Sequence, residues 1–97
     1  MSPEIAARLE GRGIAWFATE KGYTMFTRDN CAAIAHEQAG AFSVGSSGMM
    51  TESGLSYLVW RDGRAFLASH GTENPAAEEQ IEAVRRFSDD LKAALAR

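Results

Sequence analysis

The chain has 97 residues, with ten Lys and Arg against thirteen Asp and Glu, a formal charge of −3 and a single cysteine, Cys31. That length makes one domain, residues 1–97, and the basic residues are scattered rather than clustered, which argues against direct nucleic-acid binding. A lone cysteine excludes an internal disulfide, no stretch approaches the ~20 apolar residues of a membrane span, and the opening Met-Ser-Pro-Glu lacks a basic-then-apolar signal, so a cytoplasmic protein is expected.

Ser2-Pro3-Glu4 begins a helix: Ser as N-cap, Pro at the first helical position, an acid in the first turn. Ile5, Ala6 and Leu9 share a face, and Gly11 or Gly13 ends the helix. Residues 14–19 and 23–27 are rich in aromatic and β-branched side chains, and Glu20-Lys21-Gly22 between them suits a hairpin turn.

Residues 29–40 read two ways. The alanine-rich run after Asn30 has the composition of a helix that Gly40 would end. Its pattern, however, repeats further on: residues 26–36 and 59–70 both pass through Arg-Asp followed by Asn or Gly, and both close on a histidine. The repeat suggests two hairpins in tandem and favours a strand. Residues 41–44 form a short strand candidate, and Gly45-Ser-Ser-Gly-Met-Met-Thr-Glu-Ser-Gly54 reads as a flexible loop joining two halves of a sheet.

Residues 55–60 and 64–70 flank Asp62-Gly63, a type I′ turn sequence. A two-residue loop pairs Arg61 with Arg64 and sorts the side chains onto two faces. One face carries Val59/Phe66, Tyr57/Ala68 and Leu55/His70; the other carries Trp60/Ala65, Leu58/Leu67 and Ser56/Ser69. Neither alternates apolar with polar as a half-wet sheet should. Asn74-Pro75 then reads as the cap and first position of a long helix, with Glu78 and Glu79 in its first turn. Ile81, Val84, Phe87, Leu91 and Leu95 make one apolar stripe, and Glu82–Arg86, Arg85–Asp89 and Arg86–Asp90 are i,i+4 pairs on its wet side. One stripe covers one face.

Chemistry-bearing motifs are sparse. Were residues 31–39 helical, Cys31 would sit in a first turn where backbone N–H groups lower a thiol pKa, and His36 or His70 would serve as base in a cysteine-dependent hydrolase. His36, His70, Cys31 and Glu37 lack the paired close spacing of a structural zinc site, and Gly45-Ser-Ser-Gly48 lacks the Gly-Lys-Ser/Thr of a phosphate loop, so neither metal nor cofactor is expected.

Gly22-Tyr-Thr-Met-Phe-Thr-Arg-Asp-Asn30 resembles the first hairpin of some small phage-encoded anti-CRISPR proteins, which also place a helix before this element and an acidic helix after their sheet. The resemblance implies a non-enzymatic inhibitor that blocks a nucleic-acid-binding surface, in some cases by imitating DNA charge; this chain is only mildly acidic.

The expected fold is α+β: a short N-terminal helix, an antiparallel meander of about five or six strands and a longer C-terminal helix packed on one face. The expected function is non-enzymatic binding of a protein partner, or of a second copy as a homodimer, through the uncovered apolar face. Trp60, Leu58 and Leu67 lead the candidate contact residues, followed by Trp16, Phe17, Met49 and Met50, with Tyr57, Val59 and Phe66 as the set if the helix takes the other side.

Overall fold

The computed structural model describes residues 1–19 and 21–96. Its elements are α1 (Pro3–Gly11), β1 (Ala15–Ala18), β2 (Tyr23–Arg28), β3 (Cys31–Gln38), β4 (Ala41–Thr51), β5 (Gly54–Arg61), β6 (Arg64–Ser69), β7 (Thr72–Pro75) and α2 (Glu78–Leu95). The strands form one sheet in sequence order, each antiparallel to the next, so the domain is an α+β meander. Seven strands replace the five or six expected, because residues 72–75 form a strand of their own and β4 runs through most of the supposed loop.

Tight turns build the meander. Asp29-Asn30, Ala39-Gly40, Asp62-Gly63 and His70-Gly71 each place two residues at positive φ, and each joins two strands paired up to the turn. Two positive φ values in a row define the type I′ turn, whose twist matches that of the strands it links. The tandem repeat is therefore a repeat of hairpins: Arg28 faces Cys31 as Arg61 faces Arg64. Residues 31–38 are strand despite their helical composition, because the Asp29-Asn30 turn and the ladder to β2 outweigh alanine's propensity. Of the predicted Glu20-Lys21-Gly22 turn, Glu20 lies outside the described residues, and Gly22 takes φ +78.

The glycine-rich stretch is a bent strand rather than a flexible connector. Ala33 pairs with Ser47 but Ala35 with Val44, so β4 carries one extra residue, around Gly45-Ser46, opposite Ile34. Such a bulge bends its strand and increases the local twist. Three residues on, a side chain at Gly48 is impossible: a Cβ there would lie 1.9 Å from the Ser56 carbonyl oxygen and 2.8 Å from Tyr57 Cα. Glycine is present because the β5 backbone comes that close.

Both helices pack on one face. Ser2 Oγ accepts a hydrogen bond from the Ile5 N–H at 3.2 Å and caps α1, whose Ile5 and Leu9 are buried. Val84, Phe87, Leu91 and Ala94 of α2 meet Phe26, Cys31, Ala33 and Ala35 of the sheet in one core with Ile5, Leu9 and Ile14. The small side chains of β3 make a shallow floor on which Phe87 and Leu91 sit completely buried. Arg8 Nη1 donates to the Ala96 carbonyl at 2.7 Å and ties the helices together.

Arg28 clips the sheet to α2. Its Nη1 lies 2.8 Å from Asp90 Oδ2 and donates to the Arg12 carbonyl at 3.0 Å, while the guanidinium sits 5.8 Å from the Phe87 ring centre. Asp90 is therefore occupied by Arg28 rather than by the expected Arg86. Of the expected pairs on α2, Glu82–Arg86 forms at 3.4 Å, and Arg85 approaches Glu82 at 3.8 Å instead of Asp89.

α2 starts at Glu78, later than the Asn74-Pro75 signal, because those two residues pair with Leu67 and Phe66 as the outer strand of the sheet. Pro is tolerated there because an edge strand has one side with no ladder donor to supply. The cap is Ala77, which has no side-chain acceptor to offer; Gln80 Oε1 accepts from its N–H at 2.8 Å.

Two stability outcomes follow. Gly48→Ala drives a methyl group into the β5 backbone and is expected to cost about 3 kcal/mol or more, measured by urea unfolding. Ala39 sits at φ +53, a region costly to residues with a Cβ. Ala39→Asn creates the favoured Asn-Gly turn and is expected to raise stability by about 1 kcal/mol in the same assay; no change would mean that this turn is unstrained.

Candidate functional site

Strand register decides which residues share a face. Leu58, Trp60, Ala65 and Leu67 lie on the side that the helices cover; Tyr57, Val59, Phe66 and Ala68 lie on the other. The same alternation puts Phe17, Met25, Ile34, Met50 and Leu55 on the open side. The expectation that Leu58 and Leu67 lie on the uncovered face is therefore corrected. Leu67 is 5% exposed and Leu58 packs against the core. Their strand pair is greasy on both sides and gave α2 no preference. The choice was made on β3, where Ala33 and Ala35 leave room for a close helix and Ile34, on the other side, does not.

The remaining predicted contact residues divide as follows. Phe17 (50% exposed) and Met50 (47%) stand on the open face, whereas Trp16 and Met49 are partly buried against the core. Trp60 is on the helix-covered side, beside α2 but not covered by it, and it remains 58% exposed. It edges a cleft of about 330 Å³ whose other walls include Ser46, Ser47, Ile81 and Arg85. Ser47 Oγ is buried there without a hydrogen-bond partner among the described residues.

The open face is hollow rather than flat. One depression of about 890 Å³ is lined by Met25 of β2, Ile34 of β3, Leu55 and Tyr57 of β5, Ala68 of β6 and Glu73 of β7. In a flat sheet β2 and β7 would lie about 24 Å apart, at ~4.8 Å per strand. A single depression bounded by side chains of both fits a sheet that curls toward this side, as the bulge in β4 favours. A second depression, of about 650 Å³, adjoins it, shares Ile34 and Tyr57, and extends to Thr19, Lys21 and Tyr23. The middle strand contributes glycine to the floor: Gly45 lines the second depression, and Gly48 pairs with Tyr57. Ala32, level with Gly48 on this face, has no exposed surface at all. Met25 and Ile34 are direct partners across the β2–β3 ladder. Sequence reasoning overlooked them, although counting back from the Asp29-Asn30 turn gives that pairing.

Polar groups gather at the two ends, with Thr27 beside Ala32 on the same face. The rings of Tyr23 and His36 pack at 5.4 Å between centres, tilted by 55°, at one end. At the other, Arg61 Nη2 contacts Glu73 Oε2 at 2.5 Å, with Arg64 across the ladder from Arg61 and His70 on the neighbouring turn.

Cys31 is a packing group. It opens β3 on the core side, buried, and burial raises its thiol pKa above the usual cysteine value; Arg28 opposes this and Asp29 adds to it. His36, five residues along the same strand, projects from the opposite face, and His70 sits in the β6–β7 turn. The first-turn geometry that would lower the thiol pKa is not formed. Among the described residues, no three His, Cys, Asp or Glu side chains converge to hold a metal ion. Among the described residues, too, no helix is long and apolar enough to cross a membrane.

The fold and this surface define a small α+β meander domain with one helix-covered face and one apolar, concave, open face. No family model, curated protein or solved structure matches the chain.

The thiol gives a check on the core. Folding keeps Cys31 protonated, so the stability it supports is complete below the unfolded thiol pKa, about 8.5, and is lost as pH rises above it. Alkylation by iodoacetamide is expected to be slow in the native protein, with its pH midpoint displaced upward, and fast in urea. Rapid native alkylation near pH 7 would contradict the burial.

Proposed function

We propose that this protein acts without catalysis, by binding a protein partner or a second copy of itself through the open sheet face. The observation that carries this reading is the apolar concavity around Ile34 and Tyr57, left uncovered by either helix. Each large apolar side chain brought out of water contributes roughly 1.5–3 kcal/mol, so several of them lining one hollow amount to a sizeable reserve of binding energy. Aromatic residues such as Tyr57, Phe66 and Phe17 are the type that dominates interface energetics.

A cytoplasmic inhibitor from a phage or mobile element, of the anti-CRISPR kind, is the particular form that the resemblance of residues 22–30 implies. Those residues form the turn-bearing arm of the β1–β3 meander, and β2 presents Met25 and Tyr23 to the open side. The candidate contact set accordingly centres on Tyr57, Ile34, Met25, Phe66, Phe17 and Met50, with Trp60 as a separate exposed aromatic beside α2.

The reading is tested by replacing Tyr57 with a photo-crosslinking phenylalanine analogue in cells that produce the protein, with the analogue at Arg86, on the wet side of α2 and outside the cleft beside Trp60, as control. Discrete covalent adducts are expected from position 57 and not from position 86. Equal labelling at both positions, or none at 57, would overturn it. Tyr57→Asp, checked for folding by circular dichroism, is expected to weaken the interaction at least a hundredfold, on the scale of about 3 kcal/mol for a lost central aromatic contact.

A further inference from the structure

Given that the open face is a binding surface, its shape and its charge restrict what can fill it. The face is concave across the strands, with side chains of β2 and β7 bounding one hollow and glycines in the middle strand. A second copy would present another concave face, and two such faces leave a lens-shaped void between them, forfeiting the contacts that close packing supplies. A convex, narrow body fits better, and an α-helix of ~10 Å diameter is one. Lying in the trough, parallel to the strands, such a helix runs the ~26 Å of the eight-residue strands β3 and β5, about 18 residues at 1.5 Å each.

The rim adds a sign. The chain is acidic overall, with five of its thirteen carboxylates on α2, on the far side of the sheet: Glu78, Glu79, Glu82, Asp89 and Asp90. Around the open face the balance is reversed. Lys21, Arg61 and Arg64 stand there against Glu73, which is already paired with Arg61, and Asp62 in the turn between the two arginines, an excess of one positive charge. Among the described residues, Lys21 and Arg64 have no ion-pair partner. A second copy would bring the same basic rim against this one, whereas an acidic partner would neutralise it.

We infer that the open face receives an amphipathic helix of a partner protein, apolar along one stripe and acidic along its flanks, with Lys21 and Arg64 setting the preference for acid. The stripe, read at i, i+3, i+4 and i+7, lies over Ile34 and Tyr57.

The probes are two fluorescein-labelled 18-residue peptides with the same leucine stripe and alanine spacers, one flanked by Glu and the other by Lys. Binding to the full chain is followed by fluorescence anisotropy, and the oligomeric state of the chain by light scattering. The Glu peptide is expected to bind at least tenfold more tightly than the Lys peptide, to weaken as salt is raised, and to be lost in Ile34→Asp. The paired substitution Lys21→Glu, Arg64→Glu, both on exposed side chains that the fold does not need, is expected to abolish or reverse the preference. Equal binding of the two peptides would overturn the charge assignment while leaving the face as a binding surface. No peptide binding, with a dimer that Tyr57→Asp disperses, would overturn the inference in favour of a second copy and still leave the face in use. No peptide binding by a strict monomer would overturn the inference, and if position 57 also yields no crosslinks in cells, the reading of the face falls with it.

Discussion

A sheet that is apolar on both sides, in a chain with one apolar helical stripe to lay on it, is the constraint from which the rest follows. Phe87 and Leu91 of α2 bury completely against the side where β3 offers only Ala33 and Ala35. Close approach there maximises dispersion contacts and excludes water, and Arg28 fixes the helix by pairing with Asp90 and lying over Phe87. Once α2 has taken that side, nothing else in the described chain is long enough to cover the other. The open face is the consequence of one choice of side.

The shape of that face comes from β4. A residue inserted at Gly45-Ser46 bends the strand, and the missing side chain at Gly48 lets β5 close in on it. Regular side chains at these positions would give a flatter sheet with a filled centre. The curl gathers Met25, Ile34, Tyr57 and Ala68, from four different strands, around one hollow. Local backbone geometry thus produces curvature, curvature produces a concave apolar surface, and the surface limits the kind of body that can complement it.

The two edges of the sheet differ. β7 carries Glu73 and Pro75, a charge and a residue with no N–H, which both discourage further strand pairing. β1 has neither, but it is only four residues long. With short or blunted edges, growth of the sheet by strand addition is disfavoured, and recognition is left to the open face.

Much of the architecture was legible in the sequence, because hairpins and helix caps are local. Asp62-Gly63 dictated the exact partners of Val59 and Trp60; Ser2-Pro3 began a helix; the spacing of Val84, Phe87 and Leu91 made a stripe. The tandem repeat favoured a strand for the alanine-rich run but left the helix open, and the ladder to β2 decided it. What misled were residues whose role is set by distant neighbours. Gly45 and Gly48 have a flexible composition but are held by β3 and β5, and Asn74-Pro75 has a helix-start signature but is paired to β6. The contact set was legible only as a pair of alternatives, since Leu58/Leu67 and Tyr57/Phe66 are equally apolar. The sequence by itself determined which side chains alternate onto which faces, because alternation is a property of a single strand. Only the tertiary structure decided which face α2 covers and how deeply the other is hollowed, because those depend on the close approach of segments far apart in the chain.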